Sequence, residues 1–192
     1  MSSEKNNASG AKRSTTDPLN DLRLGAARKR LAESRNEEDA IEGLREIVAN
    51  LLGCEEIGLF RVDRRAATVQ LCWSFGVDLE NYDLLQALGN AGLQRVMGGE
   101  CHIDLPNINL SNVDLPGRDR FGATAKAQAF VPIRVANQTI AILAILRLLP
   151  QKLAFDRADM ELFKLLSDEA AKPLFGPGAH STPATEGPGM MA

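Results

Sequence analysis

The chain is poor in the residues that build covalent or metal-held scaffolds. It has three cysteines in 192 residues, Cys54, Cys72 and Cys101, and two histidines. The cysteines are odd in number, widely spaced and form no Cys-x-x-Cys pair, which argues against a disulfide framework or a structural zinc site. Reduced thiols fit a cytoplasmic protein. Long apolar runs are also missing. The longest, Ile140–Leu146, stops at Arg147, far short of the roughly 20 residues that span a bilayer. The N-terminal MSSEKNNASGAKRSTTD is polar and lacks the apolar segment of a secretory signal. There is no excess of positive charge: the formal net charge of −3 argues against nucleic acid as the main partner. No nucleophile elbow, phosphate-cradling glycine loop or pair of catalytic carboxylates occurs at a recognised spacing. No catalytic residue is therefore assigned, and a non-enzymatic protein is expected.

What is present is an ordinary globular composition, with 44% apolar residues. The length suits one domain with extensions, since domains run about 100–200 residues. Residues 1–16 and 176–192 are rich in small and polar residues and are expected to be tails that cannot offset their ordering entropy. Between them, Asp17 and Pro18 open a helix over Pro18–Ser34. Its stripe of Leu24, Ala27 and Leu31 is narrow and flanked by arginines. That pattern suits a helix docked on its own domain or a dimerising signalling helix; no helix-turn-helix partner adjoins it. Asn36 caps a second helix whose Ile41, Leu44, Ile47, Val48, Leu51 and Leu52 repeat at helical spacing, with Gly53 closing it.

Strands over Ile57–Val62 and Thr68–Trp73 form a hairpin around Asp63-Arg64-Arg65. A helix over Leu84–Met97, interrupted near Gly89–Gly92, leads into a short strand at Glu100–Asp104. Residues 105–120 form a long loop, of the kind that often carries function. Strands Ala129–Val135 and Thr139–Leu146 flank a polar break at Ala136-Asn137-Gln138. A helix over Asp156–Leu174, capped by Asp156, ends the domain. Strand pairs joined by tight turns imply an α+β fold with a mostly antiparallel sheet and the first and last helices packed together on one face.

Particular residues sharpen this pattern. They are Leu51-Leu52-Gly53-Cys54 before a strand ending in Asp63, then Trp73-Ser74-Phe75-Gly76, then Gly98-Gly99-Glu100-Cys101-His102-Ile103-Asp104. After the loop come Val131-Pro132-Ile133, Ile140-Ala141-Ile142-Leu143 and Phe155-Asp156-Arg157-Ala158-Asp159. This ordered set resembles a GAF domain over about Glu37–Leu174, with Ala141 standing where the family usually has glycine. The resemblance implies a five- or six-stranded antiparallel sheet, a small-molecule pocket on a sheet face under the long loop, and dimerisation through terminal helices. By family position, the pocket would use Trp73 and Phe75 for stacking and His102, Asp104, Asn107 and Asn109 for polar contacts. Leu24, Ala27 and Leu31 would form the dimer interface. The domain is expected over 36–175, after a linker helix over 17–35. No kinase, cyclase, phosphodiesterase or helix-turn-helix pattern lies outside 37–174, so a stand-alone cytoplasmic sensory module is expected. It would act as a homodimer on an unidentified small molecule or a signalling partner protein. The alternative is an interaction scaffold whose pocket its own side chains fill.

More specific chemistries of the family fit less well. Lys152, Phe155 and Asp159 echo a cyclic-nucleotide signature, but its Asn is absent and Met160 replaces its Glu; a helix cap with Phe155 in the core explains the same residues. Cys101-His102 resembles a bilin attachment pair but lies about thirty residues too early. Free methionine sulfoxide reduction would need a cysteine within residues 120–124, where there is none. Cys54 and Cys72 read as small buried hydrophobes. Cys101 and His102 point to opposite strand faces, so no metal site is assigned. His102 and Asp104 can share a face. No cofactor is identified.

Overall fold

The computed structural model describes residues 17–66, 68–103 and 127–176. Helix α1 spans Pro18–Ala32, with the Asp17 carboxylate accepting from the Leu19 amide. Helix α2, Glu37–Glu46, is capped by Asn36 and runs on into a π-helical turn over Ile47–Leu51. Then come β1 (Cys54–Asp63), β2 (Thr68–Phe75), α3 (Leu84–Met97) and β3 (His102–Ile103). Strands β4 (Ala129–Val135) and β5 (Gln138–Leu148) precede α4 (Arg157–Glu169) and α5 (Ala171–Phe175). The five described strands form one open sheet in the order β2-β1-β5-β4-β3, and every pair is antiparallel.

Both faces of the sheet are covered, so the central strand β5 is apolar along almost its whole length. Strand alternation divides it. Ala141, Leu143 and Ile145 belong to a core shared with α1, α2, α4 and α5, while Ile142, Ala144 and Leu146 belong to a second core under α3. The Thr139 hydroxyl donates to the Val96 carbonyl at 2.8 Å and ties β5 to the end of α3. The β4–β5 hairpin turns on Ala136 (φ 45°) and Asn137 (φ 66°). A two-residue turn matching the sheet twist needs positive φ at both positions, which suits Asn and strains Ala.

Several elements differ from expectation in extent: α1 ends at Ala32, β1 runs from Cys54 to Asp63, and β2 continues to Phe75. The short strand covers only His102–Ile103. Strand β5 is longer at both ends. The last helix is two, α4 and α5, broken at Ala170. Pro173 explains the break: a continuous helix would need an amide that proline lacks and would press its ring on the carbonyl of Glu169. In α5 the proline falls within the first turn, where it is tolerated. The interruption in α3 is at Gly89, whose φ of 61° and ψ of 174° lie outside the helical region. The two expected tails, apart from Gly176, and the long loop with Asp104, Asn107 and Asn109 lie outside the described residues.

Candidate functional site

A single extra residue in β2 decides which aromatic side chains meet. Leu59 pairs with Trp73, but Phe60 pairs with Leu71, so Cys72 is a bulge. The odd-numbered residues of β2 consequently change face at that point. Val69 and Leu71 pack with the α3-side core, whereas Trp73 and Phe75 pack with the helical layer opposite. The rings of Trp73 and Phe75 stack at 6.3 Å, and the Arg45 guanidinium sits 5.0 Å above Phe75. Cys72 is exposed, contrary to its expected burial, because the bulge turns it out of both cores. Burial pushes all three thiols up, Cys54 to about 12 and Cys101 to about 11. Neither Cys54 nor Cys101 supplies a thiolate at neutral pH.

His102 lies on the other face. It pairs with Phe130 across β3 and β4, and the two rings stack at 6.2 Å and 17°. Gly92 of α3 makes room for it; a Cβ there would lie 3.0 Å from the imidazole Cδ2. The His102 Nδ1 atom is buried without a hydrogen-bond partner among the described residues. The sheet thus separates His102 from Trp73 and Phe75, and these three do not converge on one ligand. Leu24 is half-buried, and Ala27 and Leu31 are buried in the chain's own helical layer.

The α3 face carries a cleft of about 360 Å³ that no sequence motif singles out. Phe60, Val69, Leu71, Leu79 and Leu84 line it together with the polar Glu80, Asn81, Tyr82 and Asp83. The Phe60 and Tyr82 rings lie 6.0 Å apart. Burial pushes the Tyr82 phenol up to about 12, against the opposing effect of the Ala127 backbone. The Asp83 carboxylate is already used as the cap of α3, accepting from the Gln86 amide. Among the described residues, the lining includes no lysine, arginine or histidine to offer a phosphate. Gly58 floors this region. A Cβ there would lie 2.4 Å from Leu79 Cδ1, so only glycine lets Leu79 lie flat on β1. The bulge that brings Leu71 beside Phe60 has no local sequence signal.

On the helical side, Asp159 is fully buried. Its carboxylate accepts from Arg23 of α1 at 2.5 Å and from Lys152 at 2.8 Å, and from the Asp156 amide at 2.9 Å. Burial alone would push this carboxyl up, but the two cations and the amide together hold it below the usual carboxylate range. Phe155 meets Phe163 edge-on at 5.1 Å. Lys152, Phe155 and Asp159 thus serve the cap and core of α4. Among the described residues, no group of three or more histidine, cysteine or acidic side chains is placed to hold a metal ion. No described helix is long and apolar enough to cross a membrane.

Comparison with known proteins follows this architecture. No curated protein sequence matches the chain. Among solved structures, it resembles the GAF domain of a phosphoenolpyruvate-protein phosphotransferase from Coxiella burnetii, with a TM-score of 0.58 and 18% identity over 83% of this chain and 95% of that one. The corresponding Acinetobacter domain gives a TM-score of 0.56 at 18% identity, covering 83% and 94%. Residues 122 to 287 of a methyl-accepting chemotaxis protein give 0.51 at 16%, covering 80% and 96%. These likenesses concern the fold. The family model for the GAF domain matches residues 36–174, and with the antiparallel sheet covered by helices on both faces, the chain belongs to the GAF domain family.

Proposed function

We propose that this chain is a non-enzymatic sensory module that binds a small molecule in the cleft on its α3 face and signals through its terminal helices as a cytoplasmic homodimer. GAF domains are sensory and regulatory modules, which sets the class. The observation that carries the reading is the cleft itself: a concave surface, polar and apolar in about equal measure, with a phenol at its wall, built on β1, β2 and the segment leading into α3. Such a surface fits the general form of a ligand site. The dimer contact would use the outer side of α1, where Leu19 and Leu22 are 74% and 71% exposed, since Ala27 and Leu31 are already buried.

A second reading, an interaction scaffold without a ligand, draws on the packing of the same face. Leu79, Leu88, Phe130, Ile142 and Leu146 are each at most 5% exposed and fill much of the space between α3 and the sheet. A thermal-unfolding screen with uncharged aromatics, amines, amino acids and cyclic nucleotides separates the two. A ligand at 100 times its Kd adds about 2.7 kcal/mol of stability. A shift that Tyr82→Ala abolishes supports the sensor; no shift across the panel supports the scaffold. Light scattering of the full chain against Leu19→Glu/Leu22→Glu tests the dimer.

A further inference from the structure

Helix α1 is held to the domain mainly by polar ties. Of its apolar side chains, only Ala27 and Leu31 are fully buried. The ties recur along the helix. The Asn20 amide donates to Glu161 at 2.5 Å, Arg23 to Asp159 and to the Leu51 carbonyl at 2.5 Å each, and Arg28 to Glu169 at 2.9 Å. Arg30 bonds Glu46 at 2.6 Å and Asp39 at 3.0 Å. Five carboxylates therefore face α1, three from α4 and two from α2. Between these acidic walls the floor is apolar, part of the core that holds Leu44, Val48, Leu162 and Leu166. Two cations outside α1 also touch these carboxylates, Lys152 at Asp159 and the exposed Arg157 at Glu161.

A groove with acidic walls and an apolar floor selects a basic amphipathic helix. Helix α1 is a basic helix with a narrow apolar stripe: Arg23, Arg28 and Arg30 surround the buried Ala27 and Leu31, while Leu19 and Leu22 remain exposed on its outer side. We propose that the groove between α2 and α4 is a docking site for a cationic amphipathic helix of a partner protein, and that α1 is its exchangeable occupant in cis. The link from α1 to α2 is short, Glu33 to Asn36, so α1 competes at an effective concentration in the millimolar range. A partner helix gains access when the ties of α1 are weakened. The inference is independent of any ligand in the α3-face cleft.

The test uses the full chain and a dye-labelled peptide with the sequence of residues 17–35. Fluorescence anisotropy should show the peptide binding the Arg23→Ala chain at least about tenfold more tightly than the native chain, because a hydrogen-bonded charge tie is lost from the competitor. Binding should weaken as salt rises, and a peptide carrying Arg23→Glu should not bind. Amide exchange over Leu24–Leu31 should rise by a similar factor in the variant. Arg28→Glu, at a side chain 57% exposed, loosens α1 away from the buried carboxylate and keeps the test open if Arg23→Ala unfolds. Equal binding by the native chain and both variants, no binding to any of them at millimolar peptide, or unchanged exchange in α1 would overturn the proposal.

Discussion

The contact between Gly58 and Leu79 allows a quantitative test of how the α3 face is packed. A Cβ at residue 58 would lie 2.4 Å from Leu79 Cδ1 and 2.9 Å from Phe60 Cε2. Leu79 is 1% exposed and Phe60 2% exposed, so neither can move aside into solvent. Overpacking of this kind costs about 1–3 kcal/mol, against which Ala recovers part of the chain entropy that Gly loses on folding. For a chain of this length, each kcal/mol lowers Tm by roughly 2–4 °C, so Gly58→Ala should lower it by about 2–12 °C. Urea unfolding followed by the fluorescence of Trp73, the single tryptophan, measures the change directly. Leu79→Ala alone should cost about 2–5 kcal/mol through the cavity it leaves. In that background the 2.4 Å contact is gone and the Phe60 ring, 2.9 Å from the added methyl, can shift into the vacated space, so the added cost of Gly58→Ala should fall by at least about 0.5 kcal/mol. If Gly58→Ala costs the same whether residue 79 is Leu or Ala, the close approach is not what requires glycine, and the account of the cleft floor fails.

Other outcomes follow from the same geometry. The Asp159 carboxyl lies below its unfolded value of 3.8 in the folded state, so its contribution to stability is complete above that value and is lost as pH falls through the native one. Denaturation midpoints should therefore be flat in this respect from pH 7 to 5 and decline below about pH 4, and Asp159→Asn should lower stability by about 3–5 kcal/mol at pH 7 by leaving Arg23 and Lys152 without their shared carboxylate. Calorimetry across that pH range checks both. Ala136→Gly should stabilise the protein by about 0.5–1 kcal/mol, by relieving the positive φ of the β4–β5 turn; a loss of stability would contradict the turn geometry. In native protein at pH 7.5, iodoacetamide should label Cys72 first and leave Cys54 unlabelled until denaturant is added, with mass spectrometry reading the order.

Much of this molecule was legible in one dimension. The 3.6-residue repeat of Ile41, Leu44, Ile47 and Val48, the capping Asp17, Asn36 and Asp156, and the apolar runs on either side of Ala136-Asn137 all state local preferences that the packing then satisfies. Those features, with their order, were enough for the antiparallel sheet and for the GAF resemblance. The site was less legible. Family position groups Trp73 and Phe75 with His102, yet the extra residue at Cys72 turns the two rings onto the helical layer while His102 lies against Phe130 on the α3 face. A bulge depends on pairing between strands distant in the chain, and no residue type announces it. The same holds for Asp159. Its cap role could be read from the preceding Asp156, but its partners Arg23 and Lys152 come from a helix 136 residues earlier and from the loop after β5. Sequence alone determined which segments become helix or strand, because those preferences act over a few residues. Only the folded chain decided which face each side chain joins and which charges share a buried partner, because those depend on register and on contacts across the sheet and between helices.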